Sequence, residues 1–251
     1  MEFDLVTAFP GMFEGPLSYS ILRRARERGL ITVRLHDLRD FAKDRHHKVD
    51  DIPYGGGGGM VLLPAPLFAA VETIREQHPA AASRTILLCP QGVPYDQEQA
   101  KRLLSYSRLI LICGRYEGVD ERVRDHLADE QISIGDYVLT GGEIPAMVLV
   151  DSLTRLLPGA LGDEEAARRD SFYEGRLDHP HYTRPPDFRG YRVPEVLLSG
   201  DHEEIAAWRE AKALEATARK RPDLLARSVP GGARERRSLN PERGARRRWI
   251  S

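Results

Sequence analysis

Short runs of Val, Ile and Leu alternate with stretches of helical periodicity along the first two thirds of the chain, and this alternation constrains the fold more than any other feature. Uninterrupted apolar runs suit strands buried on both faces. Strands separated by helical segments run parallel, because the helix carries the chain back to the starting end of the sheet. The pattern predicts strands at 3–8, 31–36, 85–89, 109–113 and 131–134. It predicts helices at 18–28 with Gly29 as the stop, at 65–77, at 96–106 with Asp96 as the N-cap, and at 119–127. The most apolar helix covers 143–157, with Pro145 in its first turn and Pro158-Gly159 at its end. So apolar a helix must be covered by the sheet, by another subunit, or by both. The fold class is α/β, a mostly parallel sheet clothed by helices.

After Gly159 the composition changes. Residues 161–170 are polar and charged and read as a flexible linker between domains. Residues 178–194 carry four prolines and read as an ordered, irregular loop. A long amphipathic helix follows at 201–221, with Asp201 near its cap; Pro222 halts it and a short turn runs to Arg227. The division is therefore a 1–160 α/β domain, the 161–170 linker, a helical 171–227 domain and a basic 228–251 tail. Disorder is the expectation for the tail, which has few apolar anchors.

A formal charge of −1 argues at first against a nucleic-acid partner. The charge is unevenly placed, however. Residues 228–251 hold seven arginines and two glutamates, a net of +5 that leaves −6 on the rest. The tail can act as an electrostatic arm for phosphates. Cys89 and Cys113 are too few for a disulfide scaffold, end two strands, and are expected to be small buried hydrophobes in a reducing compartment. The longest apolar run, 61–71, is broken by Pro64 and Pro66 and falls short of the ~18 residues of a membrane span. Met1-Glu2-Phe3-Asp4 lacks the basic stretch of a secretion signal, so the expectation is a cytoplasmic protein with no membrane partner.

Three glycine-bearing loops follow three consecutive strands: Pro90-Gln91-Gly92, Gly114-Arg115-Tyr116-Glu117-Gly118, and the segment from Ser133 to Gly142. Ligands of open parallel sheets sit beyond the carboxyl ends of strands, so these loops are placed to share one site. Their exposed peptide groups suit a planar, hydrogen-bonding ligand such as adenine. The phosphate-gripping pattern GxxxxGK[ST] is absent from the sequence. The run Gly55 to Gly59 reads equally as a flexible connection and as a substrate-facing lid. Taken singly, Asp170 reads as a helix N-cap, Arg155 as a solvated or ion-paired helix residue, and Asp178 as a substrate contact or a loop cap. His179 and His181 have the HxH spacing of a metal pair, but with no further ligands clustered nearby in sequence metal is not expected there. His46 and His47 are expected to face solvent. Arg184, Arg189, Arg192, Lys220-Arg221, Tyr182 and Tyr191 read as groups for ordinary protein contacts or, with an RNA partner, for phosphate contact and base stacking.

Several strings carry a resemblance: Pro53-Tyr54-Gly55-Gly56-Gly57, Gly114-Arg115-Tyr116-Glu117-Gly118-Val119-Asp120-Glu121-Arg122, Ile132-Ser133-Ile134-Gly135-Asp136-Tyr137-Val138-Leu139, Gly141-Gly142-Glu143, Asp170-Ser171-Phe172 and Pro180-His181-Tyr182-Thr183-Arg184-Pro185. In this order, across 1–227, the chain resembles the bacterial tRNA (guanine-N1)-methyltransferase family, TrmD, of the SPOUT class. The resemblance implies a deep trefoil knot in the sheet, a small helical carboxy-terminal domain that binds tRNA, and S-adenosylmethionine as cofactor. It implies that the cofactor contacts Leu88, Pro90, Gln91, Gly92, Gly114, Tyr116, Glu117, Gly118, Ser133, Ile134, Gly135, Tyr137, Val138, Leu139, Gly141 and Gly142. It implies Asp170 as the base that takes the N1 proton of the guanine 3′ of the anticodon, position 37, and Arg155 as its support. Asp178, His181, Tyr182 and Arg184 are the matching substrate contacts. Glu117 is a candidate Mg2+ contact, and the family works as a homodimer whose active site is completed across the interface. Two features depart from the family: the glycine run is longer than its usual three, and His179 stands where other residue types are common. The rival readings are a SPOUT enzyme acting on ribosomal RNA or a ribose, a non-catalytic RNA-binding protein, and a nucleotide hydrolase.

Overall fold

The computed structural model describes residues 1–227 except 78, 80, 81 and 164. The basic tail lies outside the described residues. The chain divides into two compact units, Met1–Arg168 and Arg169–Ser251.

The first unit contains, in chain order, β1 (Glu2–Thr7), α1 (Ser20–Glu27), β2 (Thr32–Asp37), β3 (Asp50–Asp51), β4 (Val61–Leu62), α2 (Pro64–Gln77), β5 (Ser83–Pro94), α3 (Gln97–Leu103), β6 (Arg108–Cys113), α4 (Glu121–His126), β7 (Glu130–Ser133), α5 (Glu143–Thr154) and the start of α6 (Ala166–Arg169). Five strands form one sheet in the order β2-β1-β6-β5-β7, every pair parallel. Alternation along the strands divides the core between the two faces. On β6, Leu109, Leu111 and Cys113 join Phe3, Leu5, Leu149 and Leu153 on one face. Ile110 and Ile112 join Val6, Leu67, Val71, Ile74 and Val123 on the other. The wholly apolar β6 run is thereby buried on both sides, as an inner parallel strand requires.

Local chemistry sets the ends. Asp96 accepts a hydrogen bond from Gln99 N at 2.9 Å and starts α3; Asp120 accepts from Arg122 N at 3.0 Å and starts α4 two residues later than the periodicity predicts. Helix α5 closes at Thr154 rather than Leu157, its last predicted residues forming turns before Pro158. Strand β5 runs well past its predicted end. Residues between Leu88 and Val93 bulge out of register, then Val93 and Pro94 pair again with Ile132 and Ser133 of β7. The antiparallel pair β3–β4 brackets the glycine run and is too short to leave a periodic signal.

The second unit holds a turn region after α6, a hairpin of β8 (Asp187–Phe188) and β9 (Tyr191–Arg192), α7 (His202–Lys220) and α8 (Pro222–Arg227). Arg189 and Gly190 both have positive φ, 56° and 84°, the geometry of a tight two-residue hairpin turn. The Asp201 carboxylate accepts from Glu203 N and Glu204 N and caps α7. Residues 222–227 form a helix where a turn is predicted from sequence. Pro222 breaks α7 yet suits a first helical position, because its missing N–H has no helical partner there. Fully buried Thr217 donates to Ala213 O and accepts from Leu177 N at 3.0 Å, tying the turn region to α7.

Candidate active site

Strands β6, β5 and β7 are neighbours, so the loops leaving their carboxyl ends emerge side by side. They enclose a cavity of about 270 Å³ lined by residues 87–91, 114–119, 132–135 and 137–142, with Arg124. Every cofactor contact that the resemblance implies lines it except Gly92; of the three loops, Gly92 and Asp136 alone stay out of the lining. Gly92 instead lies against β7: a Cβ there would stand 2.4 Å from Ile132 N. Gly142 is equally confined, since a Cβ would lie 2.6 Å from Cys113 Cα. Backbone therefore meets backbone at the cavity wall, where no side chain larger than hydrogen fits.

Buried polar groups hold these loops. Glu143 is fully buried at the start of α5; its Oε1 accepts from Thr7 Oγ1 at 2.7 Å, and its Oε2 lies 3.4 Å from Arg115 Nε. Arg115 donates to Thr140 O at 3.2 Å and stacks 4.1 Å over the Phe9 ring. It thus connects the second loop to the third. Arg124 joins the first loop to β7, donating to Gln91 Oε1 at 2.9 Å and Gln131 Oε1 at 2.8 Å. Neither arginine stands among the sequence's candidates. Arg115 lies within the family-like stretch from Gly114 to Arg122, but Arg124 has no signal beyond its place one helical turn after Glu121.

Cys89 also lines the cavity and is half-buried, not the sealed hydrophobe expected, because it stands where β5 bulges away from the sheet. Cys113 is buried as expected. Burial, reinforced by Glu143, pushes its thiol well above the usual range, which makes it an inert thiol. Tyr116 adopts φ 58°, uncommon for a bulky residue, and burial plus a hydrogen bond with Asp50 raise its hydroxyl pKa. The glycine run docks by its end on the same loop: Glu117 N donates to Met60 O at 3.0 Å, and Leu62 N to Gly118 O at 3.0 Å. Gly59, at φ +85°, passes so close to the Glu117 carboxylate that a Cβ would lie 2.5 Å from Oε1.

Arg155 is the C-cap of α5 in the first unit, and Asp170 follows α6 in the second. Asp170 begins a turn through residues 171–174 and caps no helix, which removes its N-cap reading. Phe172, two residues on, has φ 75°. Asp178 is held in place through its own N–H, donated to Ser171 Oγ at 2.9 Å. Partial burial works to raise its pKa, but hydrogen bonds from His181 and from His179 N hold the carboxyl below the ordinary range. Tyr182 lies 6.3 Å from the Trp208 ring. The β8–β9 tip leaves Phe188, Arg189, Tyr191 and Arg192 exposed, with the Arg189 guanidinium 5.2 Å over Phe188. His46 and His47 are exposed, as expected.

Fold and site together define an open parallel α/β protein with a small-molecule pocket at the carboxyl edge of its sheet. Among the described residues, no helix is long and apolar enough to cross a membrane. The sequence profile of the family described as tRNA (Guanine-1)-methyltransferase TrmD matches residues 1–227, and the chain belongs to that family. A tRNA (guanine-N(1)-)-methyltransferase of Geobacter sulfurreducens is 56% identical over 225 residues, 90% of this chain and 91% of that protein. The one from Geobacter metallireducens is 52% identical over 245 residues, 98% and 99% of the two chains. That of Geobacillus kaustophilus is 57% identical over 225 residues, 90% and 91%.

Proposed function

We propose that this chain transfers a methyl group from S-adenosylmethionine to N1 of the guanine 3′ of the anticodon, position 37, in tRNA. The observation that carries this reading is the three-loop cavity, set within residues that match the TrmD family throughout. The cavity's chemistry fits the cofactor. Backbone held at van der Waals distance around Gly142 offers peptide N–H and C=O groups to an adenine edge, and Leu88, Ile134, Val138 and Leu139 offer apolar contact to its faces. When bound, the cofactor supplies a methyl group made electrophilic by its sulfonium.

Guanine N1 carries a proton at neutral pH and is a poor nucleophile until that proton leaves. Asp170 takes it. As negative charge spreads to O6, the Arg155 guanidinium stabilises it by charge-assisted hydrogen bonding. Asp178, kept ionised by its neighbours, accepts from the N–H edge of the base, while His181, Tyr182 and Arg184 position the nucleotide. Residues 171–227 act as the tRNA-binding domain, after the linker, and the exposed aromatics and arginines of the β8–β9 tip suit stacking and phosphate contact. Glu117 is the only carboxylate among the residues lining the cavity, which does not make a Mg2+ cage, and no step is routed through that ion.

The knotted arrangement of the loops rests on membership of the TrmD family. Ile144 and Val148, one helical turn apart on α5, are 45% and 39% exposed, which supports a homodimer that covers this face and completes the active site. The tRNA substrate and the free thiols support a cytoplasmic location.

Incubation with labelled S-adenosylmethionine and unmodified tRNA transcripts, bearing guanine or adenine at position 37, tests the reading. Label is expected in the guanine transcript alone; equal labelling of both overturns the target. Asp170→Asn is expected to abolish transfer with cofactor affinity by calorimetry within about twofold. Full activity would remove Asp170 as the base.

A further inference from the structure

The HxH pair acquires a third ligand in the folded chain. Among the described residues, Asp178, His179 and His181 are the cluster whose His, Cys, Asp or Glu ligand atoms all lie within 4.8 Å of one another. Asp178 Oδ2 is 2.8 Å from His181 Nε2, and Asp178 Oδ1 is 3.7 Å from His179 Nε2. Ligands bonded tetrahedrally at about 2.0–2.1 Å stand roughly 3.3 Å apart, so the three ligand atoms, all within 4.8 Å of one another, close on one ion once His181 Nε2 exchanges its hydrogen bond to Asp178 for the metal.

The tautomer of His179 sharpens the point. Its Nδ1 lies 3.2 Å from Pro180 O, and a carbonyl only accepts, so Nδ1 is the protonated nitrogen. In the neutral ring Nε2 then presents a lone pair toward a carboxylate oxygen. Two acceptors facing each other accommodate a cation between them, either a second ring proton or a metal ion. An imidazole whose other nitrogen donates to a carbonyl is also the usual support for a metal-bound histidine, since it fixes both ring and tautomer.

The scaffold is built as well. Asp178 N is anchored on Ser171 Oγ, Leu177 N on buried Thr217, and His179 N donates to Asp178 Oδ1 at 2.7 Å. His181 is 71% exposed, which leaves an entry path and room for water as a fourth ligand.

We propose that Asp178, His179 and His181 form a binding site for a borderline divalent transition metal such as Zn2+. Two imidazoles with one carboxylate select such ions over Mg2+, which takes oxygen ligands. Occupancy would withdraw Asp178 and His181 from the base, making the enzyme metal-inhibited; this second statement rests on their proposed role as substrate contacts.

The probe is Zn2+ itself, titrated into the metal-free full chain against a chromophoric chelator. The wild type is expected to take up one zinc that His179→Asn binds at least about tenfold more weakly. The double variant His46→Asn/His47→Asn serves as control and should keep that zinc. Unchanged zinc stoichiometry and affinity in His179→Asn overturns the site. Should that variant fold poorly by far-UV circular dichroism, His181→Asn, on an exposed ring, serves for the same comparison. In methyl-transfer assays at buffered free zinc, KM for tRNA should rise in the wild type and stay level in His179→Asn. Zinc binding with an unchanged KM would leave the metal site standing and remove Asp178 and His181 as substrate contacts.

Discussion

Replacement of Arg115 by Ala tests how the cavity is held together. Glu143 is fully buried, its Oε1 meets Thr7, and Arg115 is the cation beside its Oε2. Removing one partner of a buried ion pair costs about 3–5 kcal/mol, because the remaining charge keeps its desolvation penalty without compensation. The stack on Phe9, lost in the same substitution, accounts for about 0.5–2 kcal/mol and overlaps with the first term, since one guanidinium makes both contacts. Arg115→Ala is thus expected to destabilise the first unit by about 3–5 kcal/mol. At a urea dependence of about 2–3 kcal/mol/M the midpoint falls by roughly 1–2.5 M. Far-UV circular dichroism is the suitable readout, because residues 1–168 contain no tryptophan. The double variant Arg115→Ala/Glu143→Gln should regain part of the loss, an uncompensated amide costing about 1–3 kcal/mol. A midpoint shift equivalent to less than about 1 kcal/mol in the single variant, or a double variant less stable than the single, would refute the reasoning.

Gly142→Ala places a methyl against Cys113 and Gly114 backbone, so a loss of about 1–3 kcal/mol in stability and at least tenfold weaker S-adenosylmethionine binding by calorimetry are expected. Hydrogen bonds from Arg34 and Arg108 lower the Glu2 pKa from 4.5 to about 2. A folded-state pKa below the unfolded one stabilises above pH 4.5, and that contribution disappears as pH falls toward 2. With the Glu2 side chain 36% exposed, solvent screening limits it to about 1 kcal/mol, and Glu2→Gln should flatten the acid limb of the thermal midpoint measured between pH 2 and 7. Asp201→Ala removes the cap of α7 and should cost the second unit about 0.5–2 kcal/mol, followed by Trp208 fluorescence in denaturant.

The parallel sheet is legible because its strands are buried on both faces, so runs such as Leu109 to Cys113 are apolar throughout. The loops are legible because glycines follow those runs directly. What escapes is non-local. Pro90-Gln91-Gly92 reads as a turn, and no periodicity announces that Val93 and Pro94 return to pair with β7. Arg124 and Cys89 enter the cavity through that same return. Asp178 escapes as a partner of His179 and His181 because neighbouring residues diverge on any regular element. In this loop Ser171 and Thr217 pin an irregular backbone, and the carboxylate turns back onto both rings.

The sheet order carries a consequence for synthesis on the ribosome. Strand β1 sits between β2 and β6, pairing Glu2 with both Thr32 and Arg108. Its first neighbour is complete at Asp37 and its second only at Cys113, 76 residues later. At 5–20 residues per second the nascent chain carries an open apolar edge for about 4–15 s. Throughout that interval Phe3 to Val6 offer unpaired peptide groups to any passing strand. Strand β1, which leaves the exit tunnel well before β6, is therefore a segment in need of chaperone cover, and β6 is the strand whose arrival ends that need.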